Sequence, residues 1–148
     1  MTQFSFIPTA EAPDIADDVR ELFQDLASTL RDEHRAYSGE CRPSLDVVET
    51  DQAVEIVIDV AGVPPDAIRV LFRAGIVIIA GEKAPPTGDH SQAFHLVERE
   101  FGRFARAVRL AGCYDVTAAK ATLRAGELVI VLPKMADRRG QAHRIPIG

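Results

Sequence analysis

His90 and His95 are the first residues to weigh for chemistry, because imidazole is the commonest metal ligand and proton carrier. They stand five positions apart, on opposite sides of an extended strand, and Glu98 does not complete a ligand set around them. Cys41 and Cys113 are the only two cysteines and form no C-x-x-C, so neither a disulfide framework nor a cysteine zinc site is expected. Cys113 follows Gly112 and precedes Tyr114 and Asp115, with no histidine beside it to lower a thiol pKa. Asp46, Glu49 and Asp51 read as a solvated acidic group at a sheet edge. No phosphate loop, G-x-G-x-x-G, H-E-x-x-H or G-x-S-x-G occurs. Catalysis, a metal and a cofactor are therefore not expected. Arg99, Arg103, Arg106 and Arg109 remain. On a helix they would make a basic face of the kind that meets nucleic acid or a membrane surface; on a strand they would separate onto opposite faces.

The chain that must position these residues has 148 amino acids, 47% of them hydrophobic and 26% charged, enough to bury a core. No apolar run of about 18 residues is present, so a membrane span is not expected. The N-terminus lacks a basic-then-apolar leader, and a cytoplasmic location is the expectation. A net charge of −5 argues against phosphate neutralisation as the main task. Residues 1–42 carry nine acids and four bases, residues 43–134 twelve and ten, and residues 135–148 one and three. Composition changes at the same places, which divides the chain into an arm, a central domain and a tail.

The arm, 1–42, reads as one amphipathic helix. Pro13 suits a first helical position, and Asp14, Asp17 and Asp18 put negative charge at the positive end of the helix dipole. Ile15, Val19, Leu22, Phe23, Leu26 and Leu30 share one face, and Ser38-Gly39 is the expected stop. Ahead of it, Phe4, Phe6 and Ile7 are apolar without a period. Such a helix either packs on its own domain or binds other chains and exposed apolar surface.

Residues 43–134 switch to a period of two. Val54, Ile56, Ile58 and Val60 alternate with Glu55, Val57 and Asp59; Ile68, Val70 and Phe72 alternate with Arg69, Leu71 and Arg73. Ala74-Gly75 turns into Ile76–Ala80, a β-branched run expected to be buried on both faces. Ala119, Ala121 and Leu123 alternate before Gly126 and the run Leu128–Leu132, which Pro133 ends. Short strands with turn signals at these intervals predict an antiparallel β-sandwich. Residues 98–110 fit helix or strand. The strand option places Phe104, Arg106, Val108 and Leu110 on one face and Ala105, Ala107 and Arg109 on the other, and Gly102 weakens either element.

The tail, 135–148, is polar and basic and ends in Ile145-Pro146-Ile147-Gly148. It is either a frayed end or, since residues two apart point the same way in an extended chain, a two-pronged apolar plug.

Taken in order, these residues resemble the small heat shock protein family and its α-crystallin domain. Pro43, Asp46, Glu49-Thr50 and Val54–Val60 into Ala61-Gly62-Val63 look like the family's opening strands. Gly81-Glu82-Lys83 looks like the end of its fifth strand, and Phe94–Phe104 like the exchanged sixth strand and the entry to the seventh. Ala121, Leu123, Gly126 and Leu128 through Pro133-Lys134 resemble A-x-L-x-x-G-x-L…P-K, and Ile145-Pro146-Ile147 the terminal I-x-I. The family's usual Trp near Pro43 is absent, Ala111-Gly112 replaces a proline, and Glu127 stands where Val is preferred.

The resemblance implies an all-β, immunoglobulin-like sandwich with a helical arm and a flexible C-terminal extension. It implies an ATP-independent holdase that keeps unfolding clients soluble as a dynamic homo-oligomer of dimers, with ATP-dependent chaperones as candidate partners for refolding. Ile145, Pro146 and Ile147 would plug a groove between the family's fourth and eighth strands, lined by Val70, Phe72, Ala121 and Leu123. Phe94, His95, Leu96 and Arg106 would lie at the dimer interface, Arg106 paired with a carboxylate or carbonyl. Phe4, Phe6, Ile7, Ile15, Val19, Leu22, Phe23, Leu26 and Leu30 offer the densest apolar surface for clients, the sandwich being expected to bury its apolar faces within itself. The alternatives are a sandwich co-chaperone with one folded partner and a nucleic-acid-associated regulator using the arginines of 99–109.

Overall fold

The alternation of Ala53–Asp59 puts Val54, Ile56 and Ile58 on one side, and in the computed structural model all three are fully buried. The structure describes residues 4–7, 13–29, 39–86, 91–135 and 144–147. In chain order the elements are β1 (Phe4–Ile7), α1 (Pro13–Thr29), β2 (Leu45–Glu49), β3 (Ala53–Asp59), β4 (Ile68–Arg73), β5 (Ile76–Lys83), β6 (Gly102–Leu110), β7 (Lys120–Arg124) and β8 (Glu127–Pro133). Short 3₁₀ turns at Pro65–Ala67 and Val116–Ala118 lead into β4 and towards β7.

The strands form two four-stranded antiparallel sheets, ordered β1-β6-β5-β4 and β2-β3-β8-β7. One core joins them: Val54, Ile56, Ile58, Leu128, Ile130 and Leu132 from the second sheet meet Val77, Ile79, Phe104, Val108 and Leu110 from the first. Each of these larger side chains contributes about 1.5–3 kcal/mol on leaving water, so this sandwich-like layer dominates stability.

Residues 102–110 are strand, with Phe104, Arg106 and Val108 facing the core and Ala105, Ala107 and Arg109 facing out. Strand pairing on both sides settles what periodicity could not: β6 bonds to β5 and to β1. Gly102 is the first residue of β6. A Cβ there would lie 1.9 Å from the Gly39 oxygen, and its φ is +125°. The missing side chain lets the Gly39–Cys41 segment bond directly to β6, Arg103 N–H donating to Gly39 O at 2.9 Å and Cys41 N–H to Arg103 O at 3.0 Å.

Two expectations are corrected. Phe4–Ile7 has no legible period, yet its backbone forms β1 against β6, in register Phe4 with Leu110 and Ile7 with Ala107. A β6 edge with free N–H and C=O groups supplies the pairing that four residues alone could not. The sandwich also does not bury its apolar faces only within itself. Ile76, Ile78 and Ala107, facing outward, form a second buried cluster with Ile15 and Val19 of α1. This meets the expectation that Ile76–Ala80 is covered on both sides, for all five residues are buried. The predicted continuation of the helix through Leu30 to Ser38 lies outside the described residues.

Candidate interaction surfaces

The tail and the groove are both open. Ile145 and Ile147 are 87% and 99% exposed. Between β4 and β7 runs an apolar cleft of about 190 Å³, lined by Val70, Phe72, Val116, Ala119 and Ala121 over a floor that includes Ile130 and Leu132. In this chain's numbering β7 is the strand counted eighth in the family. The cleft contains the expected Val70, Phe72 and Ala121. Leu123, expected beside them, is not among the cleft-lining residues; like Phe72 and Ala119 it is partly buried against the core. The sequence reading missed Val116 and Ala119, which a 3₁₀ turn brings to the rim. Asp115 holds that turn, its carboxylate accepting from the Thr117 hydroxyl at 2.6 Å and from the Thr117 and Ala118 amides. The Thr117 hydroxyl above all holds the Asp115 pKa below the usual carboxylate value; burial opposes it, and the Ala118 and Thr117 amides add to the lowering.

Where the tail leaves the domain it is pinned. Lys134 Nζ meets Glu49 Oε1 at 2.6 Å, and Met135 N–H donates to Cys113 O at 2.9 Å. Glu49 is therefore not the solvated edge residue that its neighbours suggested.

Residues 91–101 take no strand conformation, and Phe94, Leu96 and Val97 are 70%, 74% and 66% exposed. His95 is exposed among them. A β-strand needs a partner edge for its backbone groups, and among the described residues no strand pairs with this segment. Arg106, expected at the same interface, is buried and donates from Nη1 to the main-chain oxygen of Pro43. Its expected carbonyl partner thus comes from the same chain. Burial, and after it the Arg42 guanidinium, lower its pKa.

Beside Pro43 is a second cleft, about 220 Å³, lined by Cys41, Arg42, Asp59, Lys83 and Glu100 among others. Burial raises the Cys41 pKa, Lys83 opposes this and Glu100 adds to it. The Cys41 thiol donates to Gly102 O at 3.4 Å. A protonated, hydrogen-bonded thiol is a packing residue, and no group of metal-ligating side chains occurs among the described residues.

The arginines of 99–109 do not form one patch. Arg106 points inward, Arg103 lies over the Phe23 ring at 5.3 Å, Arg99 over Phe101 at 5.0 Å, and Arg109 is exposed on the outer face. Of the apolar arm, Ile15, Val19 and Leu26 are buried and Leu22 and Phe23 half-buried, and Ile15, Val19, Leu22 and Phe23 pack on this chain's own sheet. Phe4, Phe6 and Ile7 are placed by their backbone in β1, and Leu30 lies outside the described residues.

Two antiparallel sheets, a β4–β7 groove, an exposed I-x-I tail and an N-terminal helix together describe an α-crystallin-domain protein. The chain belongs to the Hsp20/alpha crystallin family, whose model matches residues 46–148. Members of this family are stress-response chaperones without catalytic activity. The 18.9 kDa heat shock protein of Oryza sativa subsp. japonica is 35% identical over 70% of this chain, which spans 59% of that relative's length. Heat shock protein 16 of Schizosaccharomyces pombe is 28% identical over 89% of this chain and 87% of its own. Among solved structures, heat shock protein 16.0 from S. pombe matches with a TM-score of 0.63 at 26% identity, covering 74% of this chain and all of that one. A small heat-shock protein from Xylella fastidiosa matches with 0.64 at 29% identity, covering 73% and 97%.

Proposed function

We propose that this chain is an ATP-independent holdase working as a dynamic homo-oligomer assembled from dimers. The observation that carries the reading is the pair of exposed isoleucines, Ile145 and Ile147, on a chain that also opens an apolar groove between β4 and β7. Filling such a groove with two isoleucines is worth roughly 3–5 kcal/mol before ordering costs. A single contact is reversible, and many hold an assembly by multivalency. The exposed Phe94, Leu96 and Val97 suit a strand that a second copy's sheet edge completes, giving the dimer. In this reading residues 1–42 are the client-binding and assembly arm, 43–134 the immunoglobulin-like domain and 135–148 the mobile extension, and the protein works in the cytoplasm. ATP-dependent chaperones would take over held clients for refolding.

Client binding then requires α1 to lift, since its apolar face is covered at rest. The experiment is light scattering of a heat-denatured model enzyme, without ATP, with full-length protein and with a form lacking residues 1–42 at equal subunit concentration. Full-length protein is expected to suppress scattering and the truncated form to lose most of that protection. No suppression by the full-length chain would refute the holdase reading, and full protection by the truncated one would move the client site onto the sandwich.

A further inference from the structure

The outward face of β4, β5 and β6 is built in rows by strand register. Arg73, Ile76 and Arg109 lie side by side, then Leu71, Ile78 and Ala107, then Arg69, Ala80 and Ala105, and at the far end Glu82 beside Arg103. The centre is apolar: Ile76, Ile78 and Ala107 are buried there, with Leu71 and Ala105 partly so. Its border carries four arginines against the single carboxylate of Glu82. A surface of this kind fits an acidic amphipathic helix, and α1 is one: within Pro13–Thr29 there are five acids and one base.

The match extends to spacing. Asp18 and Asp25 are two helical turns apart, about 10 Å on one face. Arg69 and Arg73 are four strand residues apart, about 13 Å on one face. Arg73 Nη1 pairs with Asp18 Oδ1, while Arg69 Nε meets Asp25 Oδ2 at 2.6 Å and its Nη2 meets the Thr29 hydroxyl at 3.0 Å. Arg103 covers the Phe23 ring at 5.3 Å. Asp18 is 10% exposed at its side chain, but Arg73 and Asp25 are 60% and 58% exposed, so water and salt compete for both pairs. Such a contact holds a helix without locking it.

We propose that this sheet face is a receptor for acidic amphipathic helices of other proteins, with α1 as the resident occupant that such a helix displaces. The inference stands apart from the holdase reading, since its test reads binding and not protection of a client.

The probe is a fluorescently labelled peptide of residues 13–29, titrated by anisotropy into the full chain. The full-length variant Asp18→Asn/Asp25→Asn, whose own helix is loosened while the arginines stay, is expected to bind the peptide about tenfold more tightly than the parent. Added salt should weaken that binding. A peptide carrying Asp18→Arg and Asp25→Arg should not bind, and Ala107→Arg in the loosened chain should abolish binding. Should the loosened chain fail to fold by circular dichroism, the full-length variant Arg69→Glu/Arg73→Glu is tested instead and should prefer the charge-reversed peptide. Equal binding of native and reversed peptides, or no gain on loosening, overturns the proposal. A loosened chain whose mass rises without peptide because α1 exchanges between copies would assign the face to a second copy and also overturn it.

Discussion

Arg106 on β6 donates to the main-chain oxygen of Pro43, just ahead of β2, and so ties the first sheet to the segment that enters the second. A guanidinium among apolar neighbours is tolerable only with such an acceptor, because a buried charge without one loses its hydration uncompensated. The bond also holds the Pro43 side of the cleft that contains Cys41.

Arg106→Gly is expected to lower stability by about 2–3 kcal/mol, from the lost charged hydrogen bond and the space left behind. In the dimer reading it also loosens assembly. Thermal melts and light scattering after size exclusion check both, and a variant with the parental melting temperature and mass would remove the role.

Ile145→Ala together with Ile147→Ala should shift a large assembly towards dimers or small species, since the tail loses most of its apolar area. The fold should not change, because neither side chain is buried. Elution identical to the parent would mean that the tail does not plug the groove.

The two-residue turns of the β4–β5 and β7–β8 hairpins have Ala74 and Ala125 at φ +51°, each followed by a glycine at positive φ. Asparagine tolerates that conformation better than alanine in a two-residue hairpin. Ala125→Asn should therefore stabilise the β7–β8 hairpin by up to about 1 kcal/mol, visible as a higher denaturant midpoint. A lower midpoint would contradict the turn assignment.

Asp115 gives a pH dependence with a definite sign. Its folded pKa is depressed, mainly by the Thr117 hydroxyl, so its contribution is complete above the usual carboxylate pKa and is lost as pH falls through the lower folded value. Asp115→Asn should narrow the difference between melting at neutral and at strongly acidic pH. It should also weaken plug binding, since Val116 and Ala119 lose their fixed place at the groove rim.

How much was legible beforehand varied with how local the cause was. Alternation in 54–60 and 68–73 located β3 and β4 to within a residue, because a strand buried on one face imposes a period of two on its own sequence; the apolar runs 76–80 and 128–132 located β5 and β8, of which β5 continues three residues further, to Lys83. Glu127, where the family prefers Val, is exposed at the hairpin end, opposite Arg124 on one side and Asp59 on the other. The groove residues Val70, Phe72 and Ala121 followed from the resemblance, whereas Val116 and Ala119 required the Asp115 turn to be seen.

By itself the sequence determined the alternating strands β3 and β4, the apolar runs of β5 and β8, which helix face is apolar, and that the tail carries two isoleucines with no core of their own; these are properties of neighbouring residues. Tertiary structure alone decided that Phe4–Ile7 closes the edge of β6, that Gly102 admits Gly39 rather than breaking a strand, and that α1 lies over Ile76, Ile78 and Ala107. The reason is physical: each depends on hydrogen bonds or apolar contacts between residues remote in the chain, and no local period records them.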